Sequence, residues 1–413
     1  MKKRWMMGLM GLVVGSGLAA ELDWARLEQA ASRMTVDRFA ELLSEVYSPD
    51  GGIIDYLQYD GPRVRVYSST SHTGVPLAVL VFGEQNDEPP PLPVSDDPAL
   101  PLKGWKIALD PGHIGGAWAW MEERYFYVDR SDWVVQEGTM NLYVARLLKP
   151  ELETMGAEVV LVRDSLEPVT DQRVENFLQQ ARDEVGAIGD SRFPDMPELF
   201  RDAVTEDAVR KRAAMRFYRT AEIAARADKL NHEIKPDLTL CIHFNATGYG
   251  DERDLYDENG LAIFIYGNVM KGEVASDEQK YFMLSKLFEQ THETEVRVAK
   301  GMQKGWQAVA GLEPAYRVKG GNMVPVDEDA YIYARNLAAN RQYQGPVVFL
   351  EPYFMNNRTV YRRIQAGDYE GEKKFDHQWL PSIFREYVAA VKAGFLAYWK
   401  ASFAPHSPNP GVP

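Results

Sequence analysis

The chain has 413 residues, with 60 acidic and 46 basic side chains and a formal net charge of −14. A hydrophobic fraction of 45% and a charged fraction of 26% are typical of a globular protein and exclude a wholly disordered or collagen-like chain. The acidic balance argues against a nucleic-acid partner, because phosphate binding needs clustered lysine and arginine. Cys241 is the only cysteine, so no internal disulfide can form.

The first segment, residues 1–20, is predicted to be a secretory signal peptide. Basic residues at 2–4 precede an apolar run that ends in small residues, and cleavage is expected after Ala19 or Ala20. The apolar run is shorter than the roughly 20 residues of a membrane-spanning helix, so an uncleaved anchor is the less favoured alternative. We therefore expect an exported protein, periplasmic or secreted, that does not associate with the membrane after cleavage.

Residues 21–85 are predicted to form a small α+β module. Two helical patterns and two β-rich runs support this prediction, at residues 25–34, 36–46, 64–68 and 76–82. The segment 86–103 is rich in proline, which indicates a stiff linker and a domain boundary. The module could be a spacer, bind a partner or simply pack against the main domain.

From residue 104 to residue 402, apolar runs alternate with helical patterns. The predicted strands are residues 106–109, 158–163, 238–243, 261–266 and 346–351. The predicted helices are residues 138–149, 206–230, 277–309 and 381–400. Pro150 is expected to end or kink the first of these helices. This alternation predicts an α/β fold with a twisted, mostly parallel sheet flanked by helices. The proline-rich tail, residues 403–413, is expected to be disordered.

Polar side chains follow three of the predicted strands. His113 lies in a glycine-rich turn after the first strand, His243 ends the third and Glu351 ends the last, while Glu137 begins a helix. Functional groups gather at the carboxyl ends of strands in open α/β sheets. Two histidines and one glutamate can hold zinc with a position open for water, and a second glutamate can act as general base. Each residue alone also has a structural interpretation, such as a helix-dipole partner for Glu137.

Six short motifs occur in order along the chain: Asp110-Pro111-Gly112-His113, Glu137 with Asn141-Leu142, Arg163-Asp164, Arg226 with Asn231, Cys241-Ile242-His243-Phe244-Asn245 and Glu351-Pro352-Tyr353-Phe354-Met355-Asn356-Asn357. Together they resemble the zinc-dependent N-acetylmuramoyl-L-alanine amidases of the family-3 type, which cleave peptidoglycan. The resemblance covers residues 106–357 and implies a phosphorylase/hydrolase-like sheet architecture.

The resemblance implies one zinc ion per chain, held by His113, Glu137 and His243, with Glu351 as the catalytic acid and base. The implied reaction is hydrolysis of the amide between N-acetylmuramic acid and L-alanine in peptidoglycan, during wall remodelling, division or recycling. Peptidoglycan is then the substrate, and a protein activator is a further candidate partner. An exported zinc peptidase or amidohydrolase acting on another amide, or a non-catalytic wall-binding or activator protein, is the alternative.

Further residues of these motifs are candidates for supporting roles. Asp110 and Asn245 could orient the ligand imidazoles, or could stabilise turns. Arg163 and Arg226 could contact substrate carboxylates, or could lie in buried ion pairs. Cys241 is expected to be a small packed residue, with a thiolate ligand as the alternative, because alternation along a strand directs it to the same side as His243.

The chain departs from the family pattern by insertions near residues 117–135, 165–225 and 249–345. The first insertion separates His113 from Glu137, so Glu122 or Glu123 could take the ligand position instead. Glu137 is preferred because only this residue is followed by the Asn-Leu pattern. The aromatic side chains of the first insertion could stack on sugar rings or form a hydrophobic flap. The longer insertions could form a lid, a substrate wall or a regulatory element.

Overall fold

The computed structural model describes residues 22–88, 92–188, 198–247, 254–316 and 321–403. The predicted signal peptide and nearly all of the predicted tail lie outside these residues. Within the described ranges, no helix combines the length and apolar character needed to cross a bilayer.

The amino-terminal module consists of two helices and a three-stranded antiparallel sheet. Its elements are α1 (Trp24–Ala31), α2 (Val36–Leu42), β1 (Leu57–Asp60), β2 (Arg63–Val66) and β3 (Ala78–Val81). Thr35 caps α2 through its hydroxyl, which accepts the N–H of Arg38. The first strand was not predicted because Leu57 is its only buried residue, so it has no apolar alternation.

The central sheet is built from strands of the main domain. The remaining strands are β4 (Lys106–Pro111), β5 (Tyr125–Phe126), β6 (Val135–Gln136), β7 (Glu158–Leu161), β8 (Leu238–Ile242), β9 (Leu261–Ile265), β10 (Met323–Pro325), β11 (Ile332–Arg335), β12 (Val347–Pro352), β13 (Glu372–Phe375) and β14 (Gln378–Pro381). Seven of them form one sheet in the order β10-β11-β9-β12-β8-β4-β7.

Most neighbouring strands in this sheet are parallel. The pairings β7–β4, β4–β8, β8–β12 and β9–β11 are parallel, whereas β9–β12 and β10–β11 are antiparallel. The predicted α/β fold is therefore confirmed, as a mixed sheet with helices on its faces. The carboxyl ends of β4, β8 and β12 meet at one edge, and β9 begins at that edge and ends at the opposite one.

Helices cover both faces of the sheet. They are α3 (Glu137–Thr154), α4 (Leu178–Ile188), α5 (Glu198–Arg216), α6 (Glu222–Asp228), α7 (Asp277–Glu289), α8 (His292–Ala310), α9 (Ala338–Gln342), α10 (Arg358–Gln365) and α11 (Ile383–Ser402). On one face α3, α8 and α11 bury Leu148, Trp306 and Phe395 against the strands. On the other face α6 and α9 cover Cys241 and Phe264.

Two helices differ from the sequence prediction. The single helix predicted at residues 277–309 is two helices, α7 and α8, because Gln290 adopts a left-handed conformation with φ of 53°. No glycine or proline marks this break in the sequence. Helix α3 continues through Pro150 to Thr154 although an internal proline costs about 3 kcal/mol. Leu148 and Leu152 on either side of the proline are fully buried, and their packing offsets this cost.

The amino-terminal module and the main domain share a hydrophobic core. Leu27 and Phe39 of the module lie in one buried cluster with Tyr266 and with Leu284 of α7. The described part of the predicted linker is also packed, since the indole N–H of Trp105 donates to the carbonyl of Pro93 at 2.6 Å. The domain boundaries stay a prediction, and this packing favours the interpretation of the module as an adjunct of the main domain.

The contact between α8 and α11 gives a test of the packing. A Cβ at Gly305 would overlap the carbonyl oxygen of Ala390 and the amide nitrogen of Gly394. We expect Gly305→Ala to lower the free energy of unfolding by about 1–3 kcal/mol, because the helices must move apart. Gly186→Ala in α4 is the matched control, since a Cβ there meets no atom within 4 Å; it should raise stability by up to about 1 kcal/mol. Urea denaturation of both variants checks this, and equal effects would contradict it.

Candidate active site

The turn that follows β4 depends on glycine at two close approaches. A Cβ on Gly112 would overlap the imidazole of His243, and one on Gly115 would overlap the backbone of Gly138 at the start of α3. The side-chain amide of Asn141 donates to the carbonyl of Gly112 at 2.9 Å, which ties α3 to the same turn. Asn141 lies one helical turn after the first residue of α3, so the spacing found in the sequence has a structural reason.

The structure brings the three predicted metal ligands together. His113, Glu137 and His243 each direct one donor atom into a group whose members lie within 4.8 Å of one another. Nε2 of His113 is 3.2 Å from Oε2 of Glu137, and Nδ1 of His243 is 2.9 Å from Oε1 of the same carboxylate. Two imidazoles and one carboxylate are a donor set that zinc prefers.

The charges at this position suit a divalent cation. Burial lowers the pKa of His113, but the carboxylates of Glu137 and Glu122 outweigh it and raise the pKa to about 9. Burial raises the pKa of Glu137, yet the two histidines hold it well below its usual value. The Glu137 carboxylate is therefore ionised, as a metal ligand must be, and a metal ion bound there would take the place of the proton on His113.

Glu122 and Glu123, the alternative ligands, lie elsewhere. Glu123 is exposed, whereas Glu122 is buried behind His113, with its Oε1 3.6 Å from Nδ1 of that ring. Its second oxygen accepts the backbone N–H of Ile114 at 2.9 Å. Glu122 thus orients the imidazole so that Nε2 faces Glu137, a supporting role that the sequence analysis missed.

Glu351 lies at the end of β12, next to the predicted ligand His243, which directly follows β8. The backbone N–H of His243 donates to the carbonyl of Leu350 at 3.0 Å, which fixes the two strand ends side by side. Burial raises the pKa of Glu351; His243 opposes this rise, and the negative charge of Glu137 adds to it. A carboxyl group with a raised pKa can accept and return a proton near neutral pH.

The predicted supporting residues Asp110 and Arg226 form a buried network beneath the turn. Nη1 of Arg226 donates to Oδ1 of Asp110 at 2.9 Å, and the hydroxyl of Tyr343 donates to Oδ2 at 2.8 Å. Both oxygens of Asp110 are thus directed away from the ligand imidazoles. The geometry corresponds to the turn-stabilising alternative for Asp110 and to the buried ion-pair alternative for Arg226.

Asn245 contacts a residue of the third insertion instead of a ligand. Its side-chain amide donates to the hydroxyl oxygen of Tyr316 at 2.8 Å. The pKa of Tyr316 is raised by burial and by the negative charge of Glu351, so the phenol lies close to the proposed general base. Tyr316 was not predicted because it belongs to no motif. The insertion thus supplies part of the wall of the site.

Cys241 is a packed residue and takes no part in the donor group. Its side chain is fully buried with Ala108 and Phe264. Burial holds the pKa of the thiol well above its usual value, which disfavours the thiolate form. The geometry therefore matches the prediction that Cys241 is a small packed residue and not a thiolate ligand.

The first insertion places aromatic side chains at the edge of the site. Its strands β5 and β6 form a hairpin that ends directly before Glu137, and Nε of Arg124 is 3.9 Å from the Glu137 carboxylate. Trp120 lies against Tyr125 with ring centroids 3.7 Å apart and remains 49% exposed. Trp133 is 69% exposed. Both indoles are therefore accessible to solvent, and the sugar-stacking and flap interpretations of this insertion both stay predictions.

Solved structures that match this chain include several amidases. Ami1 from Mycobacterium abscessus is 16% identical, with a TM-score of 0.38 over 72% of this chain and 99% of that chain. The amidase CwlD from Clostridioides difficile, solved with the lipoprotein GerS, is 14% identical, with a TM-score of 0.39 over 72% and 100% of the two chains. A comparison with curated protein sequences gives no match.

The family assignment rests on a sequence model. The model of the Amidase_3 family, described as N-acetylmuramoyl-L-alanine amidase, matches residues 107–374. This range contains all six motifs and most of the central sheet, and it confirms the resemblance inferred from the sequence. The chain therefore belongs to the N-acetylmuramoyl-L-alanine amidase family and is a peptidoglycan amidase.

Proposed function

We propose that this enzyme is zinc-dependent and cleaves the amide bond that joins N-acetylmuramic acid to L-alanine. The convergence of His113, Glu137 and His243 beside Glu351 carries this proposal. Zinc bound by the three side chains would polarise the scissile carbonyl and lower the pKa of its water toward neutrality.

Glu351 is the proposed general base and then the general acid. It lies at the same edge of the sheet as His243, and its raised pKa suits a group that removes a proton from water and passes it to the leaving amine. Tyr316 and Asn245 stand beside it as a hydrogen-bonded pair. In this arrangement His113 and His243 follow the strands β4 and β8, Glu137 begins α3, and Glu351 lies in β12, so the geometry is held by the sheet and the helix together.

The aromatic hairpin is the proposed contact for the sugar. The scissile amide carries a muramic acid ring on one side. Tyr125 pairs with Gln136, the residue before Glu137, and its half-buried ring packs against the exposed indole of Trp120. The flat apolar face of an aromatic ring packs against the C–H face of a sugar. This assignment places the glycan on the hairpin side of the metal site.

Export and activation also belong to the proposal. The predicted signal peptide, residues 1–20, would carry the enzyme to the compartment that contains peptidoglycan. A role in wall remodelling, division or recycling and control by a protein activator are consistent with such a substrate. Sequencing the amino terminus of the protein recovered from the extracytoplasmic fraction tests export: an intact Met1 there would contradict cleavage.

The catalytic role of Glu351 is tested by Glu351→Gln. We expect kcat on purified peptidoglycan to fall by a factor of about 10²–10⁴, because proton transfer is lost, while bound zinc stays near the wild-type amount. Exposed Glu123→Gln is the matched control and should leave both unchanged. Mass spectrometry of the released peptides and elemental analysis of the protein are the measurements.

Three results would contradict parts of this assignment. Full activity of Glu351→Gln would remove Glu351 from the mechanism. Zinc loss in that variant would mean that Glu351 is a ligand. A wild-type protein that binds zinc but releases no sugar-free stem peptides, while it cleaves another amide, would favour the peptidase alternative.

The sugar contact is tested by Trp120→Ala. We expect a KM for polymeric peptidoglycan that is about tenfold higher with kcat nearly unchanged, because a stacking contact is worth roughly 1 kcal/mol or more. Tyr59→Ala in the amino-terminal module removes a comparably exposed ring as the control. An unchanged KM for Trp120→Ala, or an equal effect of Tyr59→Ala, would argue that the hairpin does not bind the glycan.

A further inference from the structure

Two arginines converge on the backbone of one proposed metal ligand. The carbonyl oxygen of His113 accepts a hydrogen bond from Nη2 of Arg163 and another from Nη2 of Arg226, each at 2.9 Å. The carbonyl of Pro111 accepts from the same two guanidinium groups, at 3.3 Å from Arg163 and 2.8 Å from Arg226. The two side chains thus hold the turn on both sides of Gly112.

The two arginines come from separate elements and are themselves fixed. Arg163 follows β7 and Arg226 lies in α6, and they are 2% and 4% exposed. Arg226 also binds Asp110, and its Nε donates to Oε1 of Glu222 at 2.8 Å. Both buried carboxylates therefore fix the guanidinium of Arg226, whereas Arg163 is fixed by backbone carbonyls, including that of Gly138 at 3.3 Å.

The turn needs such support because of the backbone conformation of His113. Its φ is 56°, in the left-handed region that residues with a Cβ rarely adopt. Glycine would relieve this strain, but glycine cannot bind a metal. A histidine at this point must be held in place by its surroundings.

We propose that Arg163 and Arg226 are positioning residues that hold His113 in its metal-binding conformation. They act on the backbone, while Glu122 orients the imidazole ring from behind. The two contacts together direct Nε2 toward Glu137. This proposal rests on the zinc site of the proposed function, and it assigns to the two arginines a contribution to metal affinity instead of substrate binding.

The test is the zinc dissociation constant of Arg226→Lys and Arg163→Lys in the full chain. Lysine keeps the buried charge but cannot donate to two carbonyls through a planar fork. We expect each variant to bind zinc about 10–100-fold more weakly than wild type in competition with a chromogenic chelator. At saturating zinc, kcat and KM should stay within a few-fold of wild type.

Arg363→Lys is the matched control. Arg363 is also 4% exposed and is also paired with a buried carboxylate, Glu386, at 3.0 Å, but its partners do not include the His113 turn. This variant should retain the wild-type zinc affinity. Thermal unfolding of the metal-free proteins shows which variants fold, and the visible spectrum of the cobalt-substituted proteins reports the ligand geometry directly.

Several outcomes would overturn the proposal. Wild-type zinc affinity in both lysine variants, or an equal loss in Arg363→Lys, would show that the arginines do not position the ligand. If both variants fail to fold while Arg363→Lys folds, the two arginines are needed for folding and not for positioning the ligand. Unchanged affinity with a raised KM would make them substrate contacts. If the wild-type chain itself binds no zinc, the proposed function fails together with this inference.

Discussion

The close approach of Gly115 to Gly138 is the contact on which the candidate site depends. It lets the turn after β4 lie directly against the first residues of α3, with no side chain between the two backbones. His113 is two residues before one glycine, and Glu137 is immediately before the other. A side chain at either glycine would separate the two ligands, because no rearrangement of a flexible group could make room for a backbone overlap.

The site also shows how an acidic chain arranges its positive charge. The protein has a net charge of −14, yet two arginines are buried beneath the turn, and neighbouring carboxylates raise the pKa of His113. The buried carboxylates belong to two separate groups. Asp110 and Glu222 both bind Arg226, whereas Glu137 contacts the two histidines and has Arg124 3.9 Å away. This division leaves the Glu137 carboxylate between the two histidines, in the position where a cation would bind.

The sequence predicted the fold class and the residues of the site better than it predicted the residues that contact and orient them. Strands buried on both faces are continuous apolar runs, so β4, β8, β9 and β12 could be recognised within a residue or two of their ends. His113, Glu137 and His243 could be found because polar residues at strand ends contrast with the apolar runs before them. The order of strands in the sheet, and the reversal of β9, have no local signal.

The supporting contacts were missed for a physical reason. Tyr316 and Tyr343 come from an insertion far along the chain from the residues they bind, Asn245 and Asp110. Contacts at such separations depend on the tertiary fold and leave no periodic pattern. Likewise, the sequence indicated that Glu122 could be a metal ligand. It gave no sign that Glu122 instead contacts His113, because a glutamate can serve in either role.

The shared core determines which edge of the central sheet the amino-terminal module contacts. The module contacts the segment just after β9, where the N–H of Asn268 donates to the carbonyl of Val46 at 2.8 Å. Because β9 begins at the catalytic edge and runs away from it, this contact lies at the opposite edge of the sheet. This part of the module is therefore separated from the catalytic edge by the length of β9.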